Sequence, residues 1–277
     1  METNTNYLDY INRAFTEKKL FFKPWVGSRY DKGLRFRGAS GPLKLLVIGA
    51  SRYCGYSYEQ EKSESKTCRS LSKCCNVSDY DVLMKYACDC PYAKQYGDEF
   101  SLYDINSASI SSNSVEAYLT FQKKITIMLD EPSNPKNFWQ YCSFINYLQI
   151  IVWGDQKGNA RQLTPKRSNA IDLYEQSEPI IGSIISILQP DCIILWGIST
   201  FRNNSKISNN KLFSSCNSLE MKISEDNKKY TIILNKEKSI PLFISPHPSS
   251  RGKESEDWDL FYQDLEAFFR TRRRPAE

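Results

Sequence analysis

Histidine is nearly absent: the 277-residue chain has one, His247, so any imidazole chemistry must pass through that side chain. Long apolar runs are missing too. No segment approaches the roughly 20 consecutive apolar residues of a bilayer-spanning helix, which argues against an α-helical membrane protein. The opening residues METNTNYLDY lack the basic and apolar regions of a secretory signal, so cytoplasmic residence is expected. In that compartment the nine cysteines should be reduced thiols or metal ligands, not disulfides. No two of them have the Cys-x-x-Cys spacing of a standard zinc knuckle. No internal repeat is present, which removes solenoids and propellers.

What the chain does have is an ordinary globular balance, 40% hydrophobic and 25% charged, with a high 13% of aromatics. Tyr and Phe supply most of these rings and suit both cores and base-stacking platforms. The net charge of +5 favours polyanionic partners without demanding one. Arg270-Thr271-Arg272-Arg273-Arg274 concentrates positive charge near the end of the sequence. It reads as a solvated tail or as a phosphate-contacting arm.

Hydrophobic periodicity predicts an N-terminal helix over about 4–20, with Tyr7, Leu8, Ile11, Phe15 and Leu20 at helical intervals. An irregular stretch rich in Gly follows. Leu43 to Gly49 and Asp191 to Gly197 are apolar runs ending in Gly, as buried strands leading into functional loops do. Residues 54–112 are rich in Cys, Ser and Tyr with poor periodicity, and read as an irregular insertion. Helices are expected over 115–129, over 168–188 with a restart near Pro179 capped by Ser177, and over 256–270. Phe138 to Val152 reads as a helix feeding a strand or extended segment, residues 203–218 as a loop, and Tyr230–Leu234 and Pro241–Ile244 as short strands. Helices alternating with apolar strands predict a three-layer α/β/α domain around a central, mainly parallel sheet. In such sheets ligands bind beyond the carboxyl ends of the strands, so the segments Gly49–Tyr53, Gly197–Ser199 and Ser245–Arg251 stand out.

Those segments carry a resemblance. Gly49-Ala50-Ser51-Arg52-Tyr53-Cys54 stands where the uracil-DNA glycosylase superfamily has its water-activating motif, commonly Gly-Gln-Asp-Pro-Tyr-His. His247-Pro248-Ser249-Ser250-Arg251-Gly252 resembles that family's His-Pro-Ser-Pro-Leu-Ser. Between them, Leu195-Trp196-Gly197-Ile198-Ser199 resembles its Leu-Trp-Gly-Ser loop, and Phe144-Ile145-Asn146-Tyr147 the strand whose Asn reads the base. The resemblance covers about residues 40–50 and 130–270. It implies one glycosylase-like domain over 1–277, a double-stranded DNA partner, and no obligate protein partner.

The chemistry gives each residue a reason to be there. A glycosylase must swing its nucleotide out of the stack before the glycosidic bond can be reached. As that bond breaks, negative charge grows on the departing base and calls for a preorganised donor. The resemblance implies that His247 supplies it, with Pro246 and Pro248 stiffening the loop. It implies that Asn146, with both a donor and an acceptor, reads a pyrimidine edge. Tyr53 and Ala50 would line the base pocket, and Ser199, Ser249 and Ser250 would grip phosphates. Arg251 stands at the family's wedge position and could fill the stack or bind a phosphate. Each also has a plain structural reading: a core Tyr, a strand-end Asn, a surface Arg.

The first motif departs from the family. Ser51 replaces the water-activating Asp, so no carboxylate is present there to act as general base. Ser51 could place a water, or an acid in the insertion could activate one: Glu59, Asp98, Glu99 or Asp104. A remodelled motif suggests a remodelled pocket, and a bulky modified pyrimidine such as glucosylated hydroxymethylcytosine in phage DNA becomes a candidate substrate. No cofactor is required for this chemistry. In the insertion, Cys68, Cys74, Cys88 and Cys90 are one candidate set for zinc or an iron–sulfur cluster, against a group of unliganded thiols. The expectation is therefore a monofunctional DNA glycosylase serving antiviral defence. The alternatives are a non-catalytic DNA-binding or sensing protein on the same fold, and a metal-stabilised interaction module.

Overall fold

A computed structural model gives the fold and describes residues 5–14, 24–49, 52–53, 116–130, 138–147, 151–152, 169–196, 213, 216–223, 230–246, 248 and 254–271. Every residue of Leu45–Gly49, Cys142–Asn146 and Cys192–Trp196 is buried. Strands covered on both faces have no wet side to alternate with, which is why they appear in sequence as unbroken apolar runs. These three become β2, β4 and β6. In chain order the elements are α1 (Thr5–Ala14), β1 (Trp25–Val26), β2 (Leu45–Gly49), β3 (Arg52–Tyr53), α2 (Glu116–Thr126), β4 (Cys142–Asn146), β5 (Ile151–Val152), α3 (Asn169–Leu188), β6 (Cys192–Trp196), β7 (Leu219–Ile223), β8 (Tyr230–Leu234), β9 (Lys238–Ser245) and α4 (Glu254–Thr271).

The protein is α/β. Seven strands form one mixed sheet in the order β1-β4-β2-β6-β9-β8-β7, and β3 and β5 pair separately. The four central strands, β4, β2, β6 and β9, are parallel, and β1, β8 and β7 add in antiparallel fashion. The parallel core matches the expectation. The β8–β9 pair is antiparallel because the short Leu234–Lys238 connection makes a hairpin but cannot cross over.

Side chains alternate cleanly across the sheet. Leu46, Ile48, Ile145, Ile193 and Leu195 join a core with Ile11 of α1 and Ile181, Ile184, Ile185 and Leu188 of α3. Leu45, Val47, Phe144, Ile194 and Trp196 join a second core with Phe121 and Ile125 of α2 and Trp258, Phe261, Leu265 and Phe269 of α4. The crossover β2-α2-β4 thus uses one core and β4-α3-β6 the other. The chain leaves β2 towards one flank and returns past it to the other, which makes β2 the point of reversal in strand order.

The amino-terminal edge of the sheet is closed by paired groups. The Asp191 carboxylate accepts the Lys44 amide at 3.0 Å, and the Lys238 ammonium lies 3.4 Å from it while donating to the Gln189 carbonyl at 2.9 Å. These ties hold the starts of β2, β6 and β9 together.

Helix α3 corrects one expectation. It runs unbroken through Pro179, and Ser177 is a buried interior residue and not an N-cap. A proline removes one N–H donor, and here it does not end the helix because Ile180, Ile181, Ile184 and Ile185 continue the buried stripe. Within 138–152, the expected helix feeding a strand is a 3-10 turn, Phe138–Tyr141, followed by β4. Strand β7 falls just after the stretch read as a loop. Among the described residues, no helix is long and apolar enough to cross a membrane.

Candidate functional site

The register fixes what meets at the carboxyl edge. Gly49 pairs with Asn146 across β2 and β4, Ile48 pairs with Leu195, and Trp196 pairs with Ser245. Asn146, Gly49, Trp196 and Ser245 therefore form one row across the four parallel strands. By strand alternation this row faces the core that holds α2 and α4. The loops after β2, β4, β6 and β9 all leave from this row. The strand ends that precede the segments singled out in the sequence are thereby brought to a single edge, at the reversal of strand order.

Asn146 is 5% exposed. Its amide lies over Gly49: a Cβ built on that glycine would come within 2.9 Å of Asn146 Oδ1 and 2.8 Å of Phe144 Cζ. The missing side chain at residue 49 makes room for the amide of residue 146. Below them the Phe144 ring is fixed by neighbours on several sides, with ring centroids 5.0 Å from Tyr118, 5.2 Å from Trp196 and 6.1 Å from Trp139. Trp196 is in turn 4.9 Å from Phe121. This aromatic floor is dry, so a polar group presented above it acts in a medium of low dielectric, where a hydrogen bond discriminates strongly.

Past Gly49 and Asn146 the described parallel pairing continues in a second, two-stranded ladder, β3 with β5. The Tyr147 amide donates to the Gly49 carbonyl at 2.7 Å, and the next pairing is Arg52 with Ile151 and Tyr53 with Val152. Between Gly49 and Arg52 lie two residues, Ala50 and Ser51; between Asn146 and Ile151 lie four. The unequal lengths shift the register by two residues between the Gly49–Asn146 and Arg52–Ile151 pairs. The backbone of Tyr53 is thus carried alongside the segment that follows Asn146.

At the other end of the row, Ser245 is 2% exposed, and its Oγ has no hydrogen-bond partner. Pro248 is buried and Pro246 half-buried, so the chain on either side of His247 is held against the protein. Behind β4, Tyr147 donates its hydroxyl to Glu178 Oε1 at 2.8 Å, and the Phe213 amide donates to the same oxygen at 2.9 Å. All three residues are buried.

Of the residues picked from sequence, Asn146 is fully described and Tyr53 by its backbone. Ala50, Ser51, Ser199, His247, Ser249, Ser250 and Arg251 lie outside the described residues, as do Cys68, Cys74, Cys88 and Cys90 and the acids Glu59, Asp98, Glu99 and Asp104. Sequence reasoning gave Gly49 and Ser245 no role beyond opening two of the singled-out segments, and gave none to Phe144 beneath the row. Their only signal was position at or near a strand end. Cys142, Cys192 and Cys216 are buried, and none is in a disulfide. Burial pushes the Cys142 thiol well up, away from the reactive thiolate, with nearby Cys192 adding to the rise. Among the described residues no group of three or more His, Cys, Asp or Glu is arranged to hold a metal.

The class that fold and site define is an α/β protein with Asn146 and Ser245 buried where its parallel strands end. Comparison with known proteins adds no family, since no protein-family model and no curated sequence matches the chain.

Proposed function

We propose that the protein is a DNA glycosylase of uracil-DNA-glycosylase type, which extrudes a modified pyrimidine nucleotide and hydrolyses its glycosidic bond. The observation that carries this reading is the single row Asn146, Gly49, Trp196 and Ser245, from which all four motif-bearing segments depart. A three-layer α/β/α domain with these segments on one edge suits a cleft for one flipped base. Asn146, buried over a rigid aromatic floor, suits recognition of a pairing edge. His247 stabilises negative charge on the leaving base as the bond breaks. Tyr53 and Ala50 shape the pocket. Ser199, Ser249 and Ser250 hold phosphates, and Arg251 enters the space the base vacates.

Hydrolysis needs a water on the sugar face opposite the base. In this reading Ser51 orients it, or an acid of the 54–112 segment deprotonates it, and the products are an abasic site and the free base. No lysine stands in a recognised Schiff-base position, so strand cleavage is not part of the proposal. No step passes through a metal. A cytoplasmic role against phage DNA bearing glucosylated hydroxymethylcytosine fits a pocket whose first motif has lost its carboxylate. That same loss favours a second reading, a protein that binds the flipped base without cleaving it.

A panel of duplex oligonucleotides, each with one modified pyrimidine, separates the two. Abasic sites on at least one duplex support the glycosylase. Tight binding across the panel with no base released favours the sensor. Neither binding nor release would end both.

A further inference from the structure

Among the described residues Glu178 is the one buried carboxylate, 2% exposed in the middle of α3. It is too deeply set to touch DNA, and the proposed chemistry does not use it. Burying a carboxylate is costly unless charge-assisted hydrogen bonds compensate. Here a single oxygen, Oε1, accepts from the Tyr147 hydroxyl at 2.8 Å and from the Phe213 amide at 2.9 Å. The two donors belong to different parts of the carboxyl edge. Tyr147 follows Asn146 directly at the end of β4. Phe213 belongs to the long connection between β6 and β7, the same connection that carries Ser199. Phe213 also has φ +63°, a left-handed conformation that a bulky side chain rarely adopts, and its ring lies 5.4 Å from that of Tyr147. Something must hold it there, and the bond from its amide to Glu178 does so.

We infer that Glu178 is a positioning residue for Asn146, acting through Tyr147, and that it also sets the β6–β7 connection against the end of β4. The inference rests on the glycosylase reading for its functional meaning, but its geometry stands alone. Neighbouring residues of a strand point to opposite faces, so a rotation of the 146–147 peptide moves both side chains. Tyr147 is anchored in one core by Glu178, while Asn146 faces the other core over Gly49. Beyond them the register has shifted by two residues where Arg52 pairs with Ile151. The Tyr147 amide bond to the Gly49 carbonyl holds the backbone at this point, and the Glu178–Tyr147 bond holds the side chain.

The test uses the full chain with selectively 15N-labelled asparagine, the Asn146 side-chain NH2 signal being assigned by its loss in N146D. E178L removes the acceptor, Y147F removes one donor with little risk to folding, and E178Q keeps an accepting oxygen. The Asn146 signal should move or broaden in E178L, move less in Y147F, and stay near its wild-type position in E178Q. On whichever duplex of the panel the wild type cleaves, single-turnover release should fall by about 100-fold in E178L, the scale expected for misplacing a contact by about 1 Å. KM should change little. An unmoved Asn146 signal in folded Y147F and E178L would overturn the inference. A shift in E178Q as large as that in E178L would overturn it too, by assigning the effect to buried charge. A moved signal in a protein that releases no base would leave the positioning role standing and remove the glycosylase reading instead.

Discussion

Gly49→Ala is a one-methyl perturbation at the centre of the site. The added Cβ would meet Phe144 Cζ at 2.8 Å and Asn146 Oδ1 at 2.9 Å, where ordinary contact begins at 3.4 Å. Something must yield by about half an ångström. The Phe144 ring is 1% exposed and pinned by Tyr118, Trp139 and Trp196, so it cannot retreat without disturbing the whole aromatic cluster. The Asn146 amide can rotate away, and it should. Overpacking of this kind costs about 1–3 kcal/mol. The lower half of that range applies if Asn146 gives way first, which corresponds to a fall in Tm of roughly 2–8 °C. The functional loss should be larger, up to about 100-fold in base release, because the displaced group is the one that reads the base. Gly41→Ala is the control: nothing lies within 4 Å of its added Cβ, and both stability and rate should stay at wild-type values. Thermal denaturation and single-turnover kinetics on the same preparations decide the matter. A G49A protein with wild-type Tm and wild-type release would refute the claim that the absent side chain makes room for Asn146.

Three further outcomes are expected. Arg251→Ala should weaken binding to duplex more than to single strands of the same sequence; equal losses in a gel-shift titration would indicate a phosphate contact and not a wedge. Tyr262, whose hydroxyl donates to the Lys124 carbonyl at 3.0 Å and links α4 to α2, has its ionisation pushed up to about 12, first by burial and then by the charge of Asp259. Its folded value lies above the ordinary 10.0, so the stabilisation is whole below pH 10 and is lost as pH rises towards 12 and beyond. Urea midpoints measured across that range should fall more steeply for wild type than for Y262F, and parallel curves would contradict this. Elemental analysis of purified protein tests the four-cysteine set: stoichiometric zinc or iron, lost in C68S or C90S, is the expected signature of a cluster, and its absence would remove the metal-stabilised module.

Much of the fold was readable in sequence because its central strands are apolar throughout. Leu45–Gly49 and Cys192–Trp196 need no partner to be recognised as buried strands, and the long stripes of α3 and α4 declare their inner faces. Strand β7 was not readable: Glu220 and Lys222 alternate with Leu219 and Met221 at a sheet edge, and five such residues after a polar stretch resemble a loop. The continuation of α3 through Pro179 was hidden because local propensity argues for a break and tertiary burial overrides it. In the site, Asn146 was singled out only through the resemblance of Phe144–Tyr147 to a base-reading strand, and it stands at the end of β4. The role of Gly49 was not legible, because it depends on the residue beside it across the sheet. Glu178 stayed invisible for the same reason, as its partners are 31 and 35 residues away in sequence.

The most direct measurement is abasic-site formation by wild type and His247→Ala on a duplex carrying one glucosylated hydroxymethylcytosine, with parallel thermal melts. Removing a donor that stabilises developing negative charge lowers rates by about 100- to 1,000-fold. The account predicts a loss of that size with an unchanged Tm. Wild-type release by the folded His247→Ala variant would contradict it.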